Sequence, residues 1–256
     1  MKLKEVYNII DALAPFALSR EYCEKYGMYD NSGLLVDCGN EINGIFFSLD
    51  GSMEAVEEAK KMNADLLITH HPAIYSPIKE LSASNPVTEC AKAGISVISA
   101  HLNLDSAQGG IDDCLAQGLG AKGKIHKMHT LSCGGYGSVF EISATPLAEF
   151  VNRAKTQFCT ERVVFYGDRP VKKVASFCGG GMNEETVAYA LAQGADTLVS
   201  SDPKHHLILE AVAKNMNVLI LTHYAAENYG FKKFYQKIKE KCPLVRTQFY
   251  VDERYM

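Results

Sequence analysis

The sequence predicts an α/β protein in which one βαβ-like module is used twice, giving two pseudo-duplicated α/β lobes. Three observations carry the prediction. Short apolar runs alternate with segments of helical period, the pattern of βα units around a sheet. The stretches ADLLITHHP and ADTLVSSDP correspond at one spacing, because Asp65 to Asp196 and Pro72 to Pro203 are both 131 positions apart. The strands that follow, ISVISAH and NVLILTH, end at His101 and His223, and each is followed four positions on by a carboxylate, Asp105 or Glu227. Any two βα units share apolar runs and can share an Ala-Asp pair, so the matched strand ends weigh most.

The elements follow in order. Residues 1–14 read as an amphipathic helix stopped by Pro15. Glu5, Asn8 and Asp11 interrupt its apolar residues at helical spacing, which speaks against a signal peptide. Asp30-Asn31-Ser32-Gly33 is turn chemistry, LLV a short strand, Gly39-Asn40 a turn and INGIFFSLD a strand. Met53–Met62 is helical with Ser52 as its N-cap. ADLLITHHP is a buried strand, Pro86–Ala93 a helix, GISVISAH a strand and Ile111–Gly118 a helix. Residues 121–170 differ in texture, and CGGYGSVFEIS suggests antiparallel strands, so the sheets are expected to be mixed. The βα grammar resumes with KKVASFC, NEETVAYALAQG, ADTLVSSDP, KHHLILEAVAKN and NVLILTH, and closes on the long helix ENYGFKKFYQKIKEK. The expected lobes are 1–125 and 126–256.

Composition narrows the function. At 47% hydrophobic and 22% charged residues the chain is neither disordered, collagen-like nor a disulfide scaffold. A formal net charge of -4 argues against a protein dominated by nucleic-acid backbone contacts. No stretch approaches the roughly 18 to 20 apolar residues that cross a bilayer. The eight cysteines form no CxxC pair and read as buried free thiols, so a cytoplasmic protein is expected.

Chemistry concentrates at strand ends. His70 and His71 close one strand, and His101 and His223 each close another. In α/β sheets that edge is where ligands bind. Imidazole with carboxylate is the ligand mix of Zn, Mn, Fe or Ni. Such a set exceeds one tetrahedral ion's need and suggests two divalent ions clamping a water and a leaving oxygen. His205 and His206 are either exposed first-turn residues or substrate contacts, while His126 and His129 read as solvated. Gly179-Gly180-Gly181 either cradles a phosphate or makes a tight turn. No GxSxG occurs, and no cysteine neighbours a histidine.

Taken together, DNSGLLV, SLDGS, ADLLITHHPAIY, ISAHLNLDSAQGGIDDCLAQGLG, CGGGMNEETVAYALAQGADTLVSSDPKHH and THYAAENYG resemble the Nif-three-like family over nearly the whole chain. Its members are also called GTP cyclohydrolase 1 type 2 homologues or dinuclear-metal-centre hexameric proteins. The resemblance implies a two-lobed protomer with a two-metal site between the lobes, in a toroidal hexamer. It implies His70, His71, Asp105, His223 and Glu227 as metal ligands, with Glu227 bridging. His101 would be a neighbouring or substrate-facing residue that orients substrate or moves a proton. Ser200-Ser201-Asp202 departs from the Thr-Gly-Glu common in relatives, which leaves the role of Asp202 open. The large inserted domain of some relatives is absent.

The resulting expectation is a metal-dependent hydrolase acting on a nucleotide-like or small substrate. The alternative is a regulatory or scaffold protein whose metals only staple the lobes. Nucleic-acid binding through a ring rests on family geometry and is opposed by the net charge. The closing segment's Phe231, Phe234, Tyr235, Phe249, Tyr250 and Tyr255 suggest either a homo-oligomer interface or cover for the chain's own sheet.

Overall fold

The computed structural model describes residues 1–256. In chain order the elements are α1 Leu3–Leu13, α2 Phe16–Tyr26, β1 Gly33–Val36, β2 Gly44–Ser48, α3 Met53–Lys61, β3 Leu66–Thr69, α4 Pro86–Ala93, β4 Ser96–Ser99, α5 Leu102–Ser106 and α6 Ile111–Gly118. They continue with β5 His126–Thr130, β6 Gly135–Thr145, α7 Leu147–Phe158, β7 Val163–Tyr166, β8 Val171–Ser176, α8 Glu184–Ala192, β9 Thr197–Ser200, α9 His205–Ala213, β10 Asn217–Leu221, α10 His223–Lys241 and β11 Arg246–Phe249. No helix is long and apolar enough to cross a membrane.

Two compact units result, one of residues Met1–Ala107 with Phe231–Val251 and one of Gln108–Gly230 with Asp252–Met256. Residues 108–125 therefore fold with the second unit. The reason is visible at Asp112 in α6, whose buried carboxylate accepts hydrogen bonds from Ser138 Oγ at 2.6 Å and Gly137 N at 3.2 Å in β6.

The first unit holds a five-stranded mixed sheet in the order β1-β4-β3-β2-β11, with β1 antiparallel to β4 and the rest parallel. The second holds a six-stranded mixed sheet in the order β5-β6-β8-β9-β10-β7. There β8, β9 and β10 are parallel, while β5, β6 and the edge strand β7 run antiparallel to their neighbours. The shared part is a run of three parallel strands, β2-β3-β4 and β8-β9-β10, each with an antiparallel strand beside the third.

Hydrogen bonds make the duplication concrete. Asp65 Oδ2 accepts from Asn43 N at 2.8 Å and Gly44 N at 3.0 Å, and Asp196 Oδ2 accepts from Lys172 N and Lys173 N, both at 3.0 Å. The backbone matches as well. Asp65 N donates to Gly44 O and Asp196 N to Lys173 O, while Ser96 N reaches Asp65 O and Asn217 N reaches Asp196 O. The same Asp thus ties the entry of the first parallel strand to the second in both copies.

Local chemistry explains the remaining elements. Ser52 caps α3 by accepting from Ala55 N, as its position predicts. Helix α2 adds to the elements expected from the sequence: Pro15 precedes it and Gly27 closes it in the left-handed region at φ 65°. Residues 121–170 hold the β5–β6 pair but also α7, whose buried Leu147, Phe150, Val151, Ala154 and Phe158 recur at helical spacing. Cys90, Cys114, Cys178 and Cys242 are buried, and burial pushes the Cys90 thiol up to about 12, whereas Cys133 and Cys159 are exposed.

The closing aromatics largely serve the first unit's own core. Phe231, Phe234 and Tyr235 are buried, and Phe47 meets Tyr235 at 5.1 Å and Phe231 at 6.1 Å between ring centroids. These three rings cover the chain's own sheet. If the twin aspartates fasten the two modules as described, Asp65→Ala and Asp196→Ala each lower stability by about 2 kcal/mol, since a charged acceptor leaves two backbone donors. The urea midpoint reads this; an unchanged midpoint in both variants contradicts it.

Candidate metal centre

In the first unit the strand end itself brings two histidines together. Neighbouring residues of a strand point to opposite faces, but β3 stops at Thr69. His70 N and His71 N then both donate to Leu49 O, at 3.1 and 3.0 Å, so the chain curls around one carbonyl. The two rings lie 5.0 Å apart as a result. His101, just past the adjacent strand β4, brings its ring within 5.2 Å of His70 and 5.8 Å of His71. The single helical turn of α5 follows, in which Asp105 N donates to His101 O at 2.8 Å. That turn carries Asp105 back beside His70, with Oδ1 3.4 Å from His70 Nε2. Both residues are buried, at 0% and 3% exposure.

Each of these histidines is held by its other nitrogen. Nδ1 of His70 lies 2.7 Å from Ala100 O, Nδ1 of His71 lies 2.6 Å from Asp50 Oδ1, and Nδ1 of His101 lies 2.7 Å from Asp30 Oδ1. A carbonyl or carboxylate oxygen only accepts, so Nδ1 carries the proton and donates in all three. Nε2 is left as the ligand nitrogen. The ligand nitrogens of His70, His71 and His101 lie within 4.8 Å of one another.

Asp30 is the most elaborately supported of the acceptors. Burial opposes its ionisation, but hydrogen bonding to His101, the His101 charge, and the Ser19 and Ser32 hydroxyls outweigh it. Its carboxyl is held well below the usual carboxylate range. Ser32 Oγ also accepts from His101 N at 3.1 Å, fixing the backbone under the ring.

The second unit repeats the device. His223 opens α10, and its Nδ1 lies 2.6 Å from Asp202 Oδ2. Its Nε2 lies 3.1 Å from Glu227 Oε2, one turn along the helix, and Glu227 is only 2% exposed. The glycine run explains how a backbone passes so close. Gly179 sits at φ +61°, and a Cβ there would stand 2.6 Å from Glu227 Oε1 and 3.3 Å from His223 Nε2. A Cβ on Gly181 would meet the Tyr136 hydroxyl at 2.0 Å. Glycine at these two positions therefore serves close approach.

The donor set fits a divalent cation. A lone pair aimed at a carboxylate oxygen is stable only when a cation, whether proton or metal ion, is shared between them. This occurs at His70–Asp105 and again at His223–Glu227. Imidazole nitrogens with carboxylates, and no thiolate, suit Zn, Mn, Fe or Ni. Histidine held through its second nitrogen by a carboxylate or carbonyl is the usual support of a metal-binding imidazole.

The residues singled out in the sequence divide clearly. His70, His71, His101 and Asp105 converge in the first unit, and His223 and Glu227 in the second. His205 is exposed in the first turn of α9, and His206 pairs with Glu184 at 3.2 Å on the surface. His126 is exposed, while His129 packs on Tyr136 with ring centroids 6.3 Å apart. Sequence reasoning missed Asp30 and Asp50 and left Asp202 undecided. The available signal was a carboxylate just outside the strand adjacent to each histidine-bearing strand: Asp50 after β2, Asp202 after β9, Asp30 before β1.

Comparison with known proteins shows the family and the fold. Residues 1–253 match the model of the family described as Duf34/NIF3 (NGG1p interacting factor 3). A Clostridium perfringens protein named GTP cyclohydrolase 1 type 2 homolog is 31% identical over 251 residues, covering 94% of this chain and 92% of that one. A protein of the same name from Methanocaldococcus jannaschii is 29% identical, covering 95% and 97%. Among solved structures, reduced HcgD from Methanocaldococcus jannaschii matches with a TM-score of 0.82 at 27% identity, over 97% of both chains. A Staphylococcus aureus hypothetical protein shares the fold with a TM-score of 0.85 at 23% identity, over 98% of this chain and 97% of that one.

Because Asp50 orients His71, Asp50→Ala should weaken metal binding about 10- to 100-fold with the fold retained. Titration with zinc against a competing chelator, with circular dichroism alongside, measures this. Wild-type affinity in the variant would show that Asp50 orients no ligand.

Proposed function

This chain belongs to the Duf34/NIF3 family, and on that footing we propose that it is a metal-dependent, hydrolase-like protein acting on a nucleotide-like or small substrate. His70, His71 and Asp105 of the first unit and His223 and Glu227 of the second are the residues that would hold two divalent ions. The observation that carries the reading is the common anchoring of four histidines through Nδ1, which leaves every Nε2 as a ligand or proton acceptor. Imidazoles with only structural work have no need of one shared orientation.

When bound, two such ions supply Lewis acidity to a substrate oxygen and acidify an attacking water. The chain's residues do the rest. Asp50 and Asp202 keep His71 and His223 in the Nδ1–H form. Asp105 and Glu227, both buried, supply negative charge where water screens little. His101 is the residue proposed to handle a proton: its Nε2 accepts while Asp30 steadies the imidazolium that forms. The name shared by these relatives, GTP cyclohydrolase 1 type 2 homolog, supports a nucleotide-like substrate.

Elemental analysis of untagged protein tests the centre. About two transition-metal ions per chain are expected in the wild type, with a clear loss in Glu227→Gln and His70→Ala variants that remain folded. Metal at background level in the wild type would falsify the reading. We further propose, from the family resemblance, a homo-hexamer. Light scattering at micromolar concentration should return about six times the chain mass, and a monomer there contradicts the assembly.

A further inference from the structure

Two exposed aromatic rings stand on the loops that carry the first unit's ligand set. Tyr29 immediately precedes Asp30, the anchor of His101, and Tyr75 lies four residues beyond His71. Their rings pack edge to face, with centroids 5.6 Å apart and planes at 85°. The loops are tied together twice. Tyr75 donates its hydroxyl to Tyr29 O at 3.3 Å, and Asn31 Nδ2 donates to Ile74 O at 2.7 Å. Despite this fixing, Tyr29 and Tyr75 stay 54% and 49% exposed, and Met28 beside them is exposed too. The chain holds the pair in place without burying it, which is what a preorganised stacking surface requires.

We propose that Tyr29 and Tyr75 form an aromatic platform that takes the planar heteroaromatic ring of the substrate. The inference rests on the reading of the centre as one that acts on a nucleotide-like molecule, and it adds the residues that would recognise the base. A base stacks on an aromatic side chain without sequence-specific hydrogen bonds, so the platform selects for a planar ring and tolerates its substituents. Tyr29 adjoins Asp30, which holds the His101 ring at 2.7 Å, and Tyr75 stands on the loop that leaves His71, so the platform shares its loops with the support of the candidate centre. Further along the same loop Ile78 and Leu81 are exposed as well, which makes a second copy of this chain the competing occupant. The two tethers favour the ring, because they fix the one aromatic pair and not the apolar stretch that follows.

The test compares GMP with ribose 5-phosphate, which lacks the base, by calorimetric titration of the full-length protein. The wild type is expected to bind GMP more tightly. Tyr29→Ala and Tyr75→Ala should each weaken GMP about tenfold or more, leave ribose 5-phosphate unchanged and keep the wild-type metal content. Tyr75→Phe keeps the ring and should keep most of the GMP affinity. Equal affinity of the wild type for the two probes, or unchanged GMP affinity in both alanine variants, overturns the platform. So does a change of assembly mass in Tyr75→Ala without a change in GMP affinity. Base-selective loss in a protein that carries no metal upholds the platform while the metal reading fails, and normal metal content without base selectivity does the reverse.

Discussion

One interaction organises this molecule: a histidine Nδ1–H donated to an oxygen fixed at the end of a neighbouring strand. It occurs at His70, His71, His101 and His223, with acceptors Ala100 O, Asp50, Asp30 and Asp202. An imidazole free to rotate offers either nitrogen, and aligning several by chance costs side-chain entropy each time. Tying Nδ1 down removes that choice during folding. Each acceptor comes from a strand beside the histidine's own, so the geometry of the ligands follows the register of the sheets. Thr69↔Ser99 and Ser48↔Thr69 set the heights at which His70, His71, Asp50 and His101 emerge.

The duplicated module shows how one scaffold position serves two roles. At the spacing of 131 positions that relates Asp65 to Asp196, His71 corresponds to Asp202 and His70 to Ser201. The first copy thus places ligand-type imidazoles at the end of its middle parallel strand, and the second places there the carboxylate that orients the histidine of the next strand. His101–Asp105 and His223–Glu227 are retained in both copies as a histidine with a carboxylate one turn later. Asp202 therefore has a clear task, the support of His223.

Much of this was legible because its signals are local. The apolar runs before His70, His101 and His223 and the helical spacing of Met53–Lys61 and Ile111–Gly118 gave the elements within a residue or two. Nothing in the run Gly179-Gly180-Gly181 itself shows the Glu227 and Tyr136 atoms that stand beside Gly179 and Gly181. Asp30 and Asp50 are signalled only once the strand order is known, for a physical reason. Asp30 stands 71 positions from His101 and meets it only because β1 pairs antiparallel with β4. Nothing in the turn-like stretch Asp30-Asn31-Ser32-Gly33 announces that pairing. The aromatics of α10 were ambiguous for the related reason that a ring suited to an interface is equally suited to a core, and only burial decides between them.

Nitrogen NMR of the histidine side chains in metal-stripped protein reads the Nδ1–H anchoring most directly. His70, His71, His101 and His223 should all carry a proton at Nδ1, with the Nε2 signal shifting when zinc is added. His205, exposed at the start of α9, should behave as a solvent-averaged ring. Protonation at Nε2, or averaging between the two nitrogens, at those four histidines would contradict it.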